Sequence, residues 1–86
     1  MKIAIRYFAS VREALGSGES ADLGEPAAPT SIAMLRDALA ARGGRHGEAL
    51  GRHRVLRTAV NLALCAESTW LADGDEVGFF PPVTGG

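Results

Sequence analysis

Thr30-Ser31-Ile32-Ala33-Met34-Leu35-Arg36-Asp37-Ala38-Leu39-Ala40-Ala41-Arg42-Gly43-Gly44 is the strongest helix signal in the chain. Thr30 or Ser31 supplies an N-cap oxygen, and Ile32, Leu35 and Leu39 recur at three- and four-residue steps as one apolar stripe. Gly43-Gly44 is the stop signal, so the pattern predicts a helix over residues 32–42. A single striped helix must lie on an apolar surface, and the sequence on either side of it reads as strand.

Upstream, Lys2-Ile3-Ala4-Ile5-Arg6-Tyr7-Phe8 alternates strictly and puts Ile3, Ile5 and Tyr7 on one face. Ala9 to Leu15 reads as a short helix, with Ser10 as N-cap, Glu13 at capping-box spacing and Gly16 as its end. Residues 17–24 carry Ala21 and Leu23 on one parity, as a strand returning beside the first would. Pro26 and Pro29 mark a loop. Downstream, Gly43 to Arg54 is polar, with Ala49-Leu50 as a short anchoring turn. Val55 to Cys65 is one strand turning at Asn61 or two short strands around it. Asp73-Gly74-Asp75 is a tight turn that launches Glu76 to Phe80, where Val77 and Phe79 share the core face. The expected architecture is α+β: a small mixed sheet with one main helix packed on one face, the ubiquitin-like β-grasp. Residues 1–80 form the domain, and residues 81–86 an extended tail.

Eighty-six residues allow one domain with a modest core. Nine basic against ten acidic groups lack the basic excess of a nucleic-acid binder. Arg42, Arg45, His46, Arg52, His53, Arg54 and Arg57 cluster, but without interleaved aromatics they read as a solvated loop. Cys65 is the lone cysteine, which leaves no internal disulfide and fits a reducing compartment. No apolar run approaches the ~20 residues of a membrane span, and no secretory segment follows Met1, so a cytoplasmic location is expected.

Candidates for chemistry within the domain are few. His46 and His53 have no ligand set at useful spacing, so no metal site is expected. Cys65 sits among apolar neighbours, where a thiol is inert. No serine has an arranged base, and turn chemistry accounts for the Asp-Gly-Asp segment. By elimination the chain is not an enzyme on its own. Two features remain. Phe8 and Phe80 fall on the outward sides of the first and last strands, and Leu64 can join them in an exposed apolar patch, the mark of a partner surface unless sheet curvature or a loop covers a ring. The chain then ends Pro81-Pro82-Val83-Thr84-Gly85-Gly86. Proline halts the ladder, and glycine lets the last carboxyl enter a narrow channel. Six extended residues reach about 20 Å. The same residues also fit a frayed terminus.

Tyr7-Phe8-Ala9-Ser10-Val11-Arg12-Glu13, Ala59-Val60-Asn61 and Leu71 through Gly86 together resemble the family of small, sulfur-carrying subunits of molybdopterin synthase. Asp73 to Val77 is common among ubiquitin-like sulfur carriers, whereas Phe79-Phe80-Pro81-Pro82-Val83-Thr84-Gly85-Gly86 is more specific to the molybdopterin branch. The resemblance implies that a ubiquitin-activating-like adenylyltransferase uses ATP to adenylate the Gly86 carboxylate, after which a persulfide donor supplies sulfur to leave a thiocarboxylate. It implies delivery of that sulfur to cyclic pyranopterin monophosphate within a heterotetramer of two large and two small subunits, the acid–base groups belonging to the large subunit. Gly86 is then the carrier and Gly85 the slim tip. Phe8, Leu64 and Phe80, with Pro81, Pro82, Val83 and Thr84, form the partner surface. No permanently bound cofactor, nucleic acid or membrane is implied. Rival readings are a sulfur carrier for thiamine or tRNA thiolation, a ubiquitin-like protein modifier, and an interaction domain with an inert tail.

Overall fold

A computed structural model of the protein describes residues 1–82. Its elements run β1 (Lys2–Tyr7), α1 (Ala9–Leu15), β2 (Gly18–Asp22), α2 (Ile32–Ala40), α3 (Gly44–Leu50), β3 (Arg57–Val60), β4 (Ala63–Cys65) and β5 (Glu76–Phe80). The sheet order is β2-β1-β5-β3-β4. β1 and β5 are parallel, and the other neighbours are antiparallel. This is the β-grasp arrangement expected from the alternation of strand and helix patterns.

The alternation in β1 does what its period requires. Ile3, Ile5 and Tyr7 point inward and are each 1% exposed, while Lys2, Ala4 and Arg6 face out. Val77 and Phe79 of β5 join them, and the α2 stripe of Ile32, Leu35 and Leu39 closes the core with Val11 and Leu50. Each such large apolar side chain contributes about 1.5–3 kcal/mol on full burial.

Sheet pairing overrides the expected cap of the first helix. The Phe8 amide donates to the Phe79 carbonyl at 3.1 Å, so the chain stays extended through Phe8. Phe8 is therefore the N-cap residue, without a side-chain cap, and Ser10 lies inside α1. Ser31 does cap α2, its Oγ accepting from the Met34 amide at 3.2 Å. That helix ends at Ala40 rather than at Arg42, and Gly43, at φ +75°, turns the chain directly into α3.

Helix α3 replaces the expected solvated loop. Its sequence holds two glycines, one at its first position and one inside, and only Ala49 and Leu50 as buried anchors. It is held by a residue from α2: Arg36, 2% exposed, donates through Nε to the Leu50 carbonyl at 2.7 Å and through Nη2 to the carbonyls of Gly51 and Arg54. A buried guanidinium thus satisfies the last carbonyls of a helix whose own propensity is weak, and its charge complements the negative helix end. Glu67 completes the site, 3.0 Å from Arg36 Nη1. The neighbouring basic residues are also engaged: Arg52 with Asp37 and Glu67, Arg54 with Glu48 and Arg42 with Glu19.

Val55 to Cys65 resolves into two short strands around Asn61 and Leu62, both at positive φ as a two-residue hairpin requires. Asn61 secures that hairpin to β5, donating through Nδ2 to Asp75 Oδ1 and accepting from the Glu76 amide through Oδ1, both at 3.0 Å.

Candidate functional site

The sheet has one face under the helices and one face bare, and register decides what stands on the bare one. Arg6 of β1 aligns with Gly78 of β5, Gly78 with Ala59 of β3, and Ala59 with Leu64 of β4, which makes a single row across four strands. One pleat further along, Phe80 aligns with Arg57. Phe8 stands beside Phe80, with ring centroids 6.3 Å apart and planes at 86°, an edge-to-face pair.

Gly78 is what lets these rings settle on the sheet. A Cβ at that position would lie 3.1 Å from Phe8 Cε2, so the ring of Phe8 rests directly on the glycine backbone. The patch therefore runs from Phe80 through Phe8 and across Ala59 to Leu64. Phe8 is 43% exposed and Leu64 75%, so this apolar surface is in water. Phe8, Phe80 and Leu64 share one face as expected, but Phe80 is half-buried, with Phe8 packed edge-to-face beside it, and only Phe8 and Leu64 are exposed. Gly78, Ala59 and Arg57 are members the sequence reading passed over. An isolated glycine inside an alternating strand is the signal that marks close approach by another group.

Pro81 and Pro82 follow directly, half-buried and outside any strand. Pro81 also borders an open groove of about 330 Å³ floored by Val11, Ala14, Ala49 and Leu56. Val83, Thr84, Gly85 and Gly86 lie outside the described residues.

Several other titratable groups are fasteners. Glu19 of β2 receives the Tyr7 hydroxyl at 2.8 Å, meets His46 Nε2 at 2.9 Å and pairs with Arg42. Partial burial pushes the Glu19 carboxyl up, but the hydrogen bonds from His46, Arg42 and Tyr7 outweigh it and hold the group down at about 2. Burial, and then the bond to Glu19, push the Tyr7 hydroxyl above its ordinary value. His53 lies 3.7 Å from Glu48, and Cys65 is half-buried in β4. Among the described residues no group of three or more His, Cys, Asp or Glu could hold a metal ion. No helix among them is long and apolar enough to cross a membrane.

A five-stranded β-grasp sheet with an open aromatic face leading into a Pro-Pro segment points to the ubiquitin-like carriers, and comparison identifies the group. Residues 5–86 match the ThiS family. The chain belongs to the ThiS family. Within it, the chain is 45% identical over 86 residues to the molybdopterin synthase sulfur carrier subunit of Escherichia coli (strain K12), covering 98% of this chain and 99% of that one. Identity is 34% over 82 residues to the protein of the same name from Haemophilus influenzae, covering 95% and 96%. Among solved structures, SAMP1 from Haloferax volcanii superposes with a TM-score of 0.74 over the full length of both chains at 24% identity, which speaks to the fold alone. A protein–protein complex of subunits 1 and 2 of molybdopterin-converting factor from Helicobacter pylori 26695 contains a chain matching at a TM-score of 0.67 and 28% identity, again over the full length of both. The resemblance drawn from Phe8, Asn61 and the last sixteen residues is thus borne out at the level of the ThiS family.

Proposed function

We propose that this chain is the sulfur-carrying small subunit of a molybdopterin synthase. The observation that carries the reading is the Phe8–Phe80 pair on an open sheet face immediately before Pro81. Both rings stand outside the core cluster, so the face is available to grip a partner while the following residues act in the partner's site. Names of relatives 45% and 34% identical support the same reading.

The chemistry follows from the terminal group. The Gly86 α-carboxyl, with an ordinary pKa of about 3.3–3.7, is ionised and a poor electrophile at neutral pH. An adenylyltransferase joins it to AMP, with pyrophosphate leaving, and the mixed anhydride then has a good leaving group. A persulfide sulfur displaces AMP, and a thiol cleaves the resulting acyl disulfide to release the thiocarboxylate, itself leaving as a disulfide. Gly86 carries the sulfur atom, and Gly85 keeps the tip slim enough for a channel. Pro81, Pro82, Val83 and Thr84 span from sheet to reaction site. The sulfur goes to cyclic pyranopterin monophosphate, two deliveries supplying the two dithiolene sulfurs. The small subunit contributes no acid–base residue, and two small subunits act with two large ones.

Two measurements test this. Intact mass of the protein isolated from its host shows one oxygen exchanged for sulfur, and the Gly86 deletion abolishes molybdoenzyme activity in cells lacking the native subunit. Retained activity in the deletion overturns the reading. Ladders of lysine conjugates ending at Gly86 support a protein modifier instead, and rescue of thiamine or tRNA thiolation in place of molybdoenzymes supports the other carrier branches.

A further inference from the structure

The outer face of the sheet carries three cations, and they are not equivalent. Lys2 stands opposite Asp22 in the β1–β2 register. Arg6 lies 3.6 Å from Glu76 on the same face. Arg57 is opposite Phe80, with no acidic residue across from it in the β3–β5 register. It is exposed and makes no ion pair among the described residues. Cross-strand neighbours hold their Cβ atoms at about 4.5–5.5 Å, so the guanidinium is rooted directly beside the ring that anchors the patch.

We infer that Arg57 is a specificity-determining residue of the docking face, and that the partner surface it fits places an Asp or Glu carboxylate beside the apolar cup that receives Phe80. This rests on the reading of the face as the large-subunit contact. The physical argument is complementarity. A partner burying Phe8 and Phe80 must also cover the root of Arg57. Covering an arginine with apolar surface strands its charge, whereas a carboxylate accepts two parallel N–H bonds from the planar guanidinium. The other two cations place no such demand, because each has an acidic neighbour within this chain. A charge at the edge of an apolar contact acts chiefly on encounter rate and on rejection of mismatched partners. Arg57 therefore selects among large subunits of similar shape.

The test is association of the full chain with purified large subunit, followed by stopped flow across ionic strength. Arg57→Glu slows association about tenfold at low salt, and the difference fades as screening shortens the reach of the charge. Arg57→Gln falls between the two. Lys2→Glu, on the same face but away from Phe80, changes the rate less than twofold. Urea melts of each variant confirm that the domain is intact. Equal association rates and affinities for Arg57→Glu and wild type overturn the assignment, as does a loss that is the same at all salt concentrations. Failure of the wild-type chain to bind the large subunit is a different outcome. It removes the docking reading and Arg57's role with it.

Discussion

Replacing Gly78 with alanine separates docking from folding more sharply than removal of an aromatic ring. The glycine lies in extended strand, and a Cβ there meets Phe8 Cε2 at 3.1 Å, Phe8 Cδ2 at 3.8 Å and the Ala59 Cβ at 4.0 Å. Carbon atoms rest at about 3.5–4.0 Å, so only the first contact is tight, and the Phe8 ring must lift by about half an ångström. Two effects on stability oppose each other. Gly→Ala at a compatible backbone contributes about 0.4–1 kcal/mol by narrowing the unfolded ensemble. Displacing Phe8 from its rotamer costs about 0.5–1.5 kcal/mol. Folding free energy therefore changes by less than about 1 kcal/mol. Binding has no such offset, because the lifted ring disturbs the edge-to-face contact with Phe80 and the shape offered to the partner. Affinity for the large subunit falls about three- to tenfold, or roughly 0.7–1.4 kcal/mol. Isothermal titration with the large subunit and urea denaturation of the same preparation read the two quantities. Unchanged affinity refutes the placement of Phe8 at the interface, and a stability loss above about 2 kcal/mol shows that the ring belongs to the folding core.

Phe80→Ala weakens large-subunit binding by about 2 kcal/mol or more with little loss of stability, whereas Ile5→Ala costs about 2–5 kcal/mol of folding free energy and leaves affinity intact; calorimetry and urea melts run on both variants detect any mixing of the two effects. Arg36→Ala strands three carbonyls and costs about 3–5 kcal/mol by urea melt, and Arg36→Lys recovers less than half, since one ammonium cannot reproduce the guanidinium fork. Glu19, held at about 2 in the folded chain, contributes stability that is present above its unfolded value of about 4.3 and is lost as pH falls toward 2. After discounting for solvent screening this amounts to about 1–2 kcal/mol, and Glu19→Gln flattens the acid limb of the stability curve over that window. Leu62→Gly relieves a leucine at φ +70° and stabilises the hairpin by about 0.5–1 kcal/mol in a thermal melt.

The strands and the open aromatic face were legible because their signal is strictly local. Alternation over Lys2 to Phe8 and over Glu76 to Phe80 assigns each side chain to a face, and parallel pairing of the two strands makes Phe8 and Phe80 neighbours. The third helix was not legible, because its stability is not in its own seven residues. Gly44 and Gly47 lower its propensity, and the group that secures its end lies on α2. That group does leave a trace. Positions 32, 35, 36 and 39 follow the full i, i+3, i+4, i+7 stripe, so position 36 belongs to the buried face although it holds arginine. A charged residue at a core position of an otherwise clean stripe asks for buried acceptors, and the carbonyls of Leu50, Gly51 and Arg54 supply them. The Ser10 cap failed for a related reason: a long-range strand bond to Phe79 outranks a local capping pattern.

The backbone and side chain of Phe8 divide its work, and that division explains how an exposed ring can hold a fixed place. The Phe8 amide extends the β1–β5 ladder, and its carbonyl accepts from Val11 and Arg12 to begin α1. The backbone is thus fixed at the junction of sheet and helix, beside Val11 and Phe79 of the core. The ring is fixed from below by Gly78 and from the side by Phe80. Side-chain ordering at an interface otherwise costs about 0.5–1.5 kcal/mol for each rotamer-rich residue. Here most of that ordering is complete before any partner arrives. The surrounding positions differ: Arg6, Arg57 and Leu64 project from the same face without any role in the core. On the role proposed for Arg57, change at that site alters which partner fits while the aromatic pair keeps its place.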